Sequence, residues 1–175
     1  GGDHQFMETS LDIARYIPVD FTETYRTYFK IHGVLGALWE SNGQRIPEAD
    51  RYRLGGYNNL RGYPFWDVGP KDKRSNSPMS PNYDYRVGGD KQMYYQLEYF
   101  VPLIPEAGIK ALLFADTGRV FKEGEPFHFS EMKSDVGFGF RWITPMAPFR
   151  FEWAYPYDHK TKQLGDMQFI FTIGY

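Results

Sequence analysis

The stretch Ser130–Thr144, SEMKSDVGFGFRWIT, decides the fold of this 175-residue chain. Every second residue from Val136 to Trp142 is apolar, whereas the residues between Asp135 and Arg141 on the alternate positions are charged or glycine. Strict alternation places these two sets on opposite faces of a β-strand. The stretch therefore predicts a strand with one aromatic face and one charged face on which glycines leave room.

The same alternation recurs along the chain and predicts an all-β protein, an antiparallel meander of about seven strands. The predicted strands cover about 5–19, 24–39, 91–101, 108–121, 130–144, 148–157 and 166–175. One face of nearly every strand is apolar, and the other carries too many ionisable residues for a dry core: Glu98, Lys110, Asp116, Asp135, Arg141, Arg150 and Glu152. We therefore predict apolar side chains outside and polar side chains inside, as in a transmembrane β-barrel.

Composition narrows the class of protein further. Aromatic residues make up 19% of the chain, which fits the aromatic girdles of such a barrel. No run approaches the roughly 18 apolar residues of a membrane helix. The net charge of -2 and the dispersed Lys and Arg residues argue against a nucleic-acid partner. Without cysteine there is no disulfide or thiolate metal site, and no metal cluster or phosphate-binding glycine loop is visible, so we expect no cofactor.

A long irregular segment, about 41–89, interrupts the meander. Connections of this length are usually either functional or disordered. The tip, Asn58-Asn59-Leu60-Arg61-Gly62-Tyr63, sets an arginine beside a glycine and an aromatic ring. An arginine in such a loop is most often solvated, but this composition also suits a shaped tip that docks onto another surface.

Four motifs in register with the strand alternation resemble one family. They are Leu60-Arg61-Gly62-Tyr63, Gln96-Leu97-Glu98-Tyr99, Phe114-Ala115-Asp116-Thr117-Gly118 and Gly137-Phe138-Gly139-Phe140-Arg141-Trp142. Nearly the whole chain resembles the C-terminal part of the barrel of the BamA-type outer-membrane assembly factors, whose superfamily also contains TamA and FhaC-like transporters. Those proteins normally have sixteen strands and POTRA domains, which this sequence lacks.

The resemblance implies that the long loop folds back into the barrel lumen. Arg61 would then pair with Asp116, with Glu98 nearby, while Gly137 and Gly139 leave space for the loop tip. The alternation independently places both carboxylates on the inner face, and a guanidinium can bind a carboxylate through two hydrogen bonds. As an alternative, Asp116 to Gly118 is a simple strand-end turn. We interpret the other inward charges, including Asp135, Arg150 and Glu152, mostly as solvation of a wet interior.

The resemblance also implies a function, the folding and insertion of β-barrel proteins in the bacterial outer membrane, without catalysis. Its expected partners are outer-membrane lipid, unfolded outer-membrane protein clients and accessory assembly lipoproteins. Clients would be admitted at a lateral seam along the last strand, formed by Phe169, Phe171, Ile173, Gly174 and Tyr175.

The sequence alone leaves other functions and other assembly states open. A transporter that secretes a dedicated polypeptide shares the loop motif, and a passive structural barrel is a further alternative. His4, His32, His128 and His159 do not sit near a candidate nucleophile in sequence or alternation, so an enzyme is disfavoured. Seven strands leave two open edges, which predicts a fragment or a half-barrel completed by another chain or a second copy.

Overall fold

The computed structural model describes residues 5–19, 26–41, 43, 45–72 and 85–174. Its strands are β1 (Phe6–Val19), β2 (Thr27–Glu40), β3 (Lys71–Asp72), β4 (Tyr85–Arg86), β5 (Lys91–Ile104), β6 (Ile109–Phe121), β7 (Lys133–Ile143), β8 (Pro148–Asp158), β9 (Gln163–Leu164) and β10 (Gln168–Ile173). The seven long strands form one antiparallel sheet in the order β1-β2-β5-β6-β7-β8-β10, and β9 pairs with β8. The predicted all-β meander is confirmed. Within the described ranges, no helix has the length and apolar character needed to cross a bilayer.

Turns at one rim of the sheet are short and loops at the other rim are long. A single 3-10 turn, Pro105–Ala107, and the left-handed Gly108 connect β5 to β6. At Gly108 a Cβ would lie 2.5 Å from the backbone oxygen of Ile143, so the close approach of two chain segments requires glycine. The connections from β2 to β5, from β6 to β7 and from β8 to β10 lie at the opposite rim.

The two faces of the sheet have inverted polarity relative to a water-soluble barrel. Phe138, Phe140 and Trp142 are between 39% and 45% exposed on the outer face. Rings on neighbouring strands contact one another there, for example Phe138 and Trp153 with centroids 5.4 Å apart. On the inner face the carboxylates Asp116 and Glu152 are buried. Apolar side chains outside and charged side chains inside are the arrangement of a membrane-spanning β-barrel wall.

The sheet formed by the described residues is not closed, because β1 and β10 each pair on one side only. The Gly174 amide donates to the carbonyl of Pro148 at 2.9 Å, which continues the β8–β10 pairing. Backbone groups of alternate residues point to opposite sides of a strand. The amides of Phe169, Phe171 and Ile173 are therefore directed to the free edge of β10. Tyr175, predicted to end this strand, lies outside the described residues.

The long loop folds back over the inner face and has secondary structure of its own. It contains a 3-10 turn, Glu48–Asp50, the β3–β4 hairpin and two isolated bridges, Tyr52 to Gly89 and Leu54 to Val68. Leu54, Leu60 and Val68 pack against Val120 of β6 in a buried apolar cluster. Burial of such side chains typically contributes about 1.5–3 kcal/mol each. The cluster therefore attaches the loop to the wall close to its tip.

Candidate functional site

Glycine and asparagine residues fix the backbone of the loop tip through contacts within the loop itself. Gly55 and Gly56 have positive φ angles of 113° and 98°. A Cβ on Gly55 would lie 2.2 Å from the Pro64 oxygen. The Asn59 side-chain oxygen accepts hydrogen bonds of 2.7 Å from the amides of Gly55 and Leu60. The tip is thus a folded turn that presents Arg61 in one orientation.

Arg61 is the centre of the site and its side chain is fully buried. Its Nε donates to Asp116 Oδ2 at 2.6 Å and its Nη2 donates to Asp116 Oδ1 at 2.7 Å, which is the bidentate geometry of an arginine–carboxylate pair. Its Nη1 donates to Glu98 Oε1 at 2.8 Å and more weakly to Glu152 Oε2 at 3.3 Å. The guanidinium carbon also lies 3.6 Å from the centre of the Phe114 ring.

Burial and the surrounding carboxylates act in opposite directions on Arg61. Desolvation alone would lower the pKa of the guanidinium, but Asp116 and then Glu152 and Glu98 hold this pKa above its usual value. Arg61 therefore stays charged, and it neutralises carboxylates that would otherwise be buried without a counterion.

A second layer of cations surrounds the same carboxylates. Arg141 bonds both Glu98 and Glu152, with its Nη2 at 3.0 Å from Glu152 Oε1. Arg150 donates to Glu152 at 2.9 Å, and Lys30 lies 3.3 Å from Glu98. Four cations thus meet three carboxylates. Within the residues that the structure describes, no group of His, Asp or Glu side chains could hold a metal ion.

The remaining residues of the tip motif contact the wall directly. Leu60 is buried in the apolar cluster. The Tyr63 hydroxyl donates to the backbone oxygen of Ser134 at 3.1 Å. Burial raises the pKa of Tyr63 to about 12, so this hydroxyl remains a donor at neutral pH. A Cβ on Gly62 would lie 2.5 Å from the Asp135 Cβ, so the backbone of the tip rests against β7.

Gly137 and Gly139 were expected to leave space for the loop tip, but the structure places other groups next to them. At Gly137 a Cβ would lie 2.2 Å from the backbone oxygen of Trp153 and 2.3 Å from the Phe114 ring. At Gly139 it would lie 2.5 Å from the backbone oxygen of Phe151 and 2.7 Å from the Glu152 side chain. These glycines make room for the backbone of β8 and for the side chains that contact Arg61, and none of their nearest atoms belongs to the loop tip. Gly118 instead faces the loop, because a Cβ there would lie 3.0 Å from Leu54.

The interpretation of Glu152 and Asp135 as solvated charges of a wet interior was wrong. Both residues are 0% exposed, and Glu152 bonds Arg61 directly. The alternation had placed Glu152 on the inner face, but it could not show that the loop tip covers that part of the wall. Asp135 lies opposite Asp116 on the neighbouring strand.

We predict that Asp135→Asn stabilises the barrel. Two carboxyl groups directly opposite one another across a ladder are destabilising, because both cannot be charged in a buried site without a large penalty. Replacing this second buried carboxyl group by a neutral amide should therefore raise the thermal unfolding midpoint, followed by heat-modified gel mobility. Asp116→Asn is the matched control and should lower the midpoint, because it loses the paired hydrogen bonds to Arg61. Equal effects of the two substitutions would contradict the assignment of Asp116 as the partner.

A hydrogen-bonded chain connects the tip to the edge strand β1. Gln96 Nε2 donates to the Asn59 backbone oxygen at 3.0 Å. Its oxygen lies 2.9 Å from His32 Nδ1, and His32 Nε2 lies 2.8 Å from Asp12 Oδ1. Nothing in the sequence analysis indicated that these residues meet.

The structure also brings two histidines each to within hydrogen-bond distance of a serine, which the sequence did not suggest. His128 Nδ1 lies 2.6 Å from Ser130 Oγ, and His128 Nε2 lies 2.8 Å from Glu125 Oε1. His159 Nε2 lies 2.8 Å from Ser134 Oγ. A serine triad needs a third group that orients the imidazole. Among the described residues, none makes a hydrogen bond to the other ring nitrogen of His159, and the Ser134 hydroxyl also contacts Thr117 at 2.9 Å. His159 and Ser134 therefore do not form a triad, whereas His128 has both a serine and a carboxylate at hydrogen-bond distance.

An open sheet with an aromatic outer face, and with a loop arginine buried against its charged inner wall, defines a part of an outer-membrane β-barrel. The Omp85 superfamily domain matches residues 1–175. The chain belongs to the Omp85 superfamily.

Individual relatives agree with this membership. The chain is 28% identical over 176 residues to the outer membrane protein assembly factor BamA of Nitratidesulfovibrio vulgaris, which covers 99% of this chain and 21% of that protein. It is 27% identical over 150 residues to a SAM50-like protein of Schizosaccharomyces pombe, covering 80% of this chain and 30% of that protein. The crystal structure of BamA from Haemophilus ducreyi lacking POTRA domains 1-3 superposes with a TM-score of 0.74 at 20% identity, over 99% of this chain and 36% of that one. The chain therefore spans about a fifth to a third of these relatives.

Proposed function

We propose that this chain is the part of a bacterial outer-membrane assembly factor that folds and inserts β-barrel client proteins. The observation that carries the proposal is a wall with an unpaired edge at β10, braced from inside by the buried Arg61. The similarity to BamA supports the same activity. In this proposal the clients are unfolded outer-membrane proteins, the surrounding solvent is outer-membrane lipid, and accessory lipoproteins assist.

The free edge of β10 is the proposed site of client contact. Unpaired amide and carbonyl groups on a strand edge are a template for another strand. Phe169, Phe171 and Ile173 direct these backbone groups to the edge while their side chains lie on the outer face, where they are about half exposed. A client strand can thus pair with backbone groups at this edge and present its own apolar side chains to lipid.

The Arg61 site gives the wall its stability next to that edge. Glu98 lies on β5, Asp116 on β6 and Glu152 on β8, so one guanidinium connects three strands. Arg141 adds a contact from β7. In this proposal the ion pairs hold the wall in shape while the seam opens for a client.

The remaining wall of the barrel comes from outside this sheet. Within the part of the chain that the structure describes, β1 and β10 both end the sheet with unpaired edges. Further strands of a longer polypeptide would complete the barrel, and a second copy of the chain is the alternative.

The proposal predicts that Phe171→Pro in the full-length protein slows client assembly. Proline removes the amide that points to the free edge, while pairing with β8 uses the alternate residues. The measurement is the rate at which a client barrel becomes protease-resistant in liposomes that contain the purified protein. Phe171→Ala is the matched control, because it removes the ring but keeps the amide.

A slow Phe171→Pro variant beside a normal Phe171→Ala variant supports pairing at the edge, provided that both unfold at the wild-type temperature. Assembly by Phe171→Pro at the wild-type rate would exclude β10 as the seam.

A further inference from the structure

Three positively charged residues lie side by side on the inner wall, close to the rim with the short turns. Lys110 of β6 lies directly opposite Arg141 of β7, and Arg141 lies directly opposite Arg150 of β8. Neighbouring strands are about 4.8 Å apart, so the three side chains form one row across the wall. Like charges directly opposite one another destabilise a sheet, so the row needs anions nearby. We call these three residues the basic row.

The carboxylates beside the row use only part of each arginine. Arg141 and Arg150 both donate to Glu152 through their Nε and Nη2 groups, at 2.9 to 3.2 Å. Arg141 also bonds Glu98 through Nη2. Among the described residues, the Nη1 groups of the two arginines have no hydrogen-bond acceptor. The two side chains are 21% and 15% exposed, so a ligand in the lumen can reach them.

Lys110 has less compensation for its charge than either arginine. Within the described ranges it forms no ion pair, and its ammonium donates one long hydrogen bond, of 3.4 Å, to the Tyr28 hydroxyl. The ammonium also lies 5.4 Å from the centre of the Tyr28 ring. An ammonium has three N–H donors, so at least two remain for another acceptor. The described wall therefore supplies no anion for the Lys110 end of the row.

The row lines a cavity of about 350 Å³ between the wall and the loop tip. Tyr57 lines it on the loop side, while Tyr28 and Phe100, whose ring centroids are 4.8 Å apart, line it on the side of β2 and β5. Among the described lining residues, the only carboxylate is Glu98, which already pairs with Arg61. The cavity is therefore a space with unused cationic donors on one side.

We propose that the basic row binds a phosphate group in this cavity. Donors from three different strands require an acceptor whose oxygens point in several directions. A phosphate group offers at least three such oxygens, whereas a carboxylate has two that lie in one plane. A phosphate next to Arg141 can accept from the Nη1 groups of both arginines and from the Lys110 ammonium. Its negative charge offsets the repulsion along the row.

A dissolved phosphate and a phosphorylated lipid headgroup share this chemistry. Binding at the row is independent of client assembly, because no contact of the cavity involves the free edge of β10. The site can therefore be tested without a client.

Equilibrium dialysis of the full-length protein in neutral detergent against radioactive inorganic phosphate measures the site directly. A single phosphate per chain is expected, and malonate, a dicarboxylate, should compete poorly. Lys110→Gln should weaken binding roughly tenfold or more, the loss expected for one charge-assisted hydrogen bond. Lys110→Arg keeps the charge and should restore most of the affinity. Lys160→Gln, at an exposed position in the turn after β8, is the control and should bind as the wild type does.

The thermal unfolding midpoint gives a second readout that a purely structural lysine would not move in this way. Without phosphate, Lys110→Gln should unfold at the wild-type temperature or above it, because it removes a like charge from the row. Millimolar inorganic phosphate should raise the midpoint of the wild type more than that of Lys110→Gln, relative to chloride of equal ionic strength. Comparing the two proteins removes the general stabilisation that phosphate gives by exclusion from protein surfaces.

Vesicles distinguish the two sources of the phosphate group. The full-length protein is reconstituted in phosphatidylcholine with or without phosphatidic acid, in phosphate-free buffer. A midpoint that phosphatidic acid raises in the wild type but not in Lys110→Gln identifies a lipid headgroup as the ligand. A response to dissolved phosphate alone identifies a soluble ligand. Either result supports a phosphate site at the basic row.

Three results would overturn the proposal. The first is phosphate binding that is equally tight in the wild type and in Lys110→Gln. The second is competition by malonate at the same concentration as by phosphate, which would indicate a carboxylate ligand. The third is the absence of phosphate binding to the wild-type protein, a measurement that needs no variant to fold. A lower midpoint of Lys110→Gln would then show that acidic side chains from other strands of the barrel neutralise the row.

Discussion

Arg61→Ala is expected to release the loop tip and to destabilise the barrel wall by roughly 3–5 kcal/mol, the cost of breaking a buried ion pair. The substitution removes both hydrogen bonds to Asp116 and the contact with Glu98. Arg141 and Arg150 still compensate Glu152, so Asp116 is the carboxylate left without a cation. Client assembly should fall with stability, because the wall beside the seam loses its internal brace.

The thermal unfolding midpoint and the assembly rate in liposomes both report on this change. Arg61→Lys should be intermediate, because an ammonium keeps the charge but cannot form the bidentate pair. Arg51→Ala is the matched control in the same loop. Its partner Glu123, 3.5 Å away, is half exposed, and such pairs contribute about 0–1 kcal/mol. The Arg51 Nε also donates to the Ile46 backbone oxygen at 3.1 Å, a neutral acceptor, so no buried carboxylate loses its cation in this variant. If Arg61→Ala behaves like Arg51→Ala in both measurements, the bracing role is wrong.

The strands could be predicted because the side-chain period of two is a local property. Val136 to Trp142 shows the apolar face of β7 without any information about neighbouring strands. The same logic placed Glu98 and Asp116 inward. Resemblance to a family then supplied the one non-local fact, that Arg61 meets Asp116, and the structure brings these two residues within 2.6 Å.

Alternation could not show which inward side chains the loop covers. Glu152 lies two strands from Asp116 in the sheet, and its contact with Arg61 depends on how deep the tip sits. For the same reason, alternation could not show the role of Gly137, whose missing side chain makes room for Phe114 on the neighbouring strand. Burial by a distant loop is a property of the assembled fold, and no period in the sequence encodes it.

The loop excludes water from the part of the barrel interior that it covers. Inward charges on a barrel wall are ordinarily solvated. Here Leu60 and Tyr63 flank Arg61, and the carboxylates beneath it are buried. Ion pairs interact more strongly where water is excluded. The apolar contacts of the tip and its salt bridges therefore depend on one another, so a purely steric change should act like the loss of a charge.

Gly62→Ala provides that steric change and is expected to reproduce most of the effect of Arg61→Ala while keeping the arginine. A Cβ at this position would lie 2.5 Å from the Asp135 Cβ and 2.8 Å from the backbone nitrogen of Pro156. Backbone in the middle of a sheet cannot shift without disturbing its ladder, so the tip must retreat from the wall. Arg61 then loses its short hydrogen bonds to Asp116, and water reaches the site.

Gly69→Ala is the control within the same loop, because the nearest atom to its Cβ would be 3.9 Å away. This variant should keep the wild-type unfolding midpoint and assembly rate. The double variant Arg61→Ala, Gly62→Ala should be little worse than either single variant, because both act through the same seated tip. Additive losses would mean that Gly62 and Arg61 stabilise the wall independently. A Gly62→Ala variant with normal stability and normal assembly would show that the tip need not rest against β7 and β8.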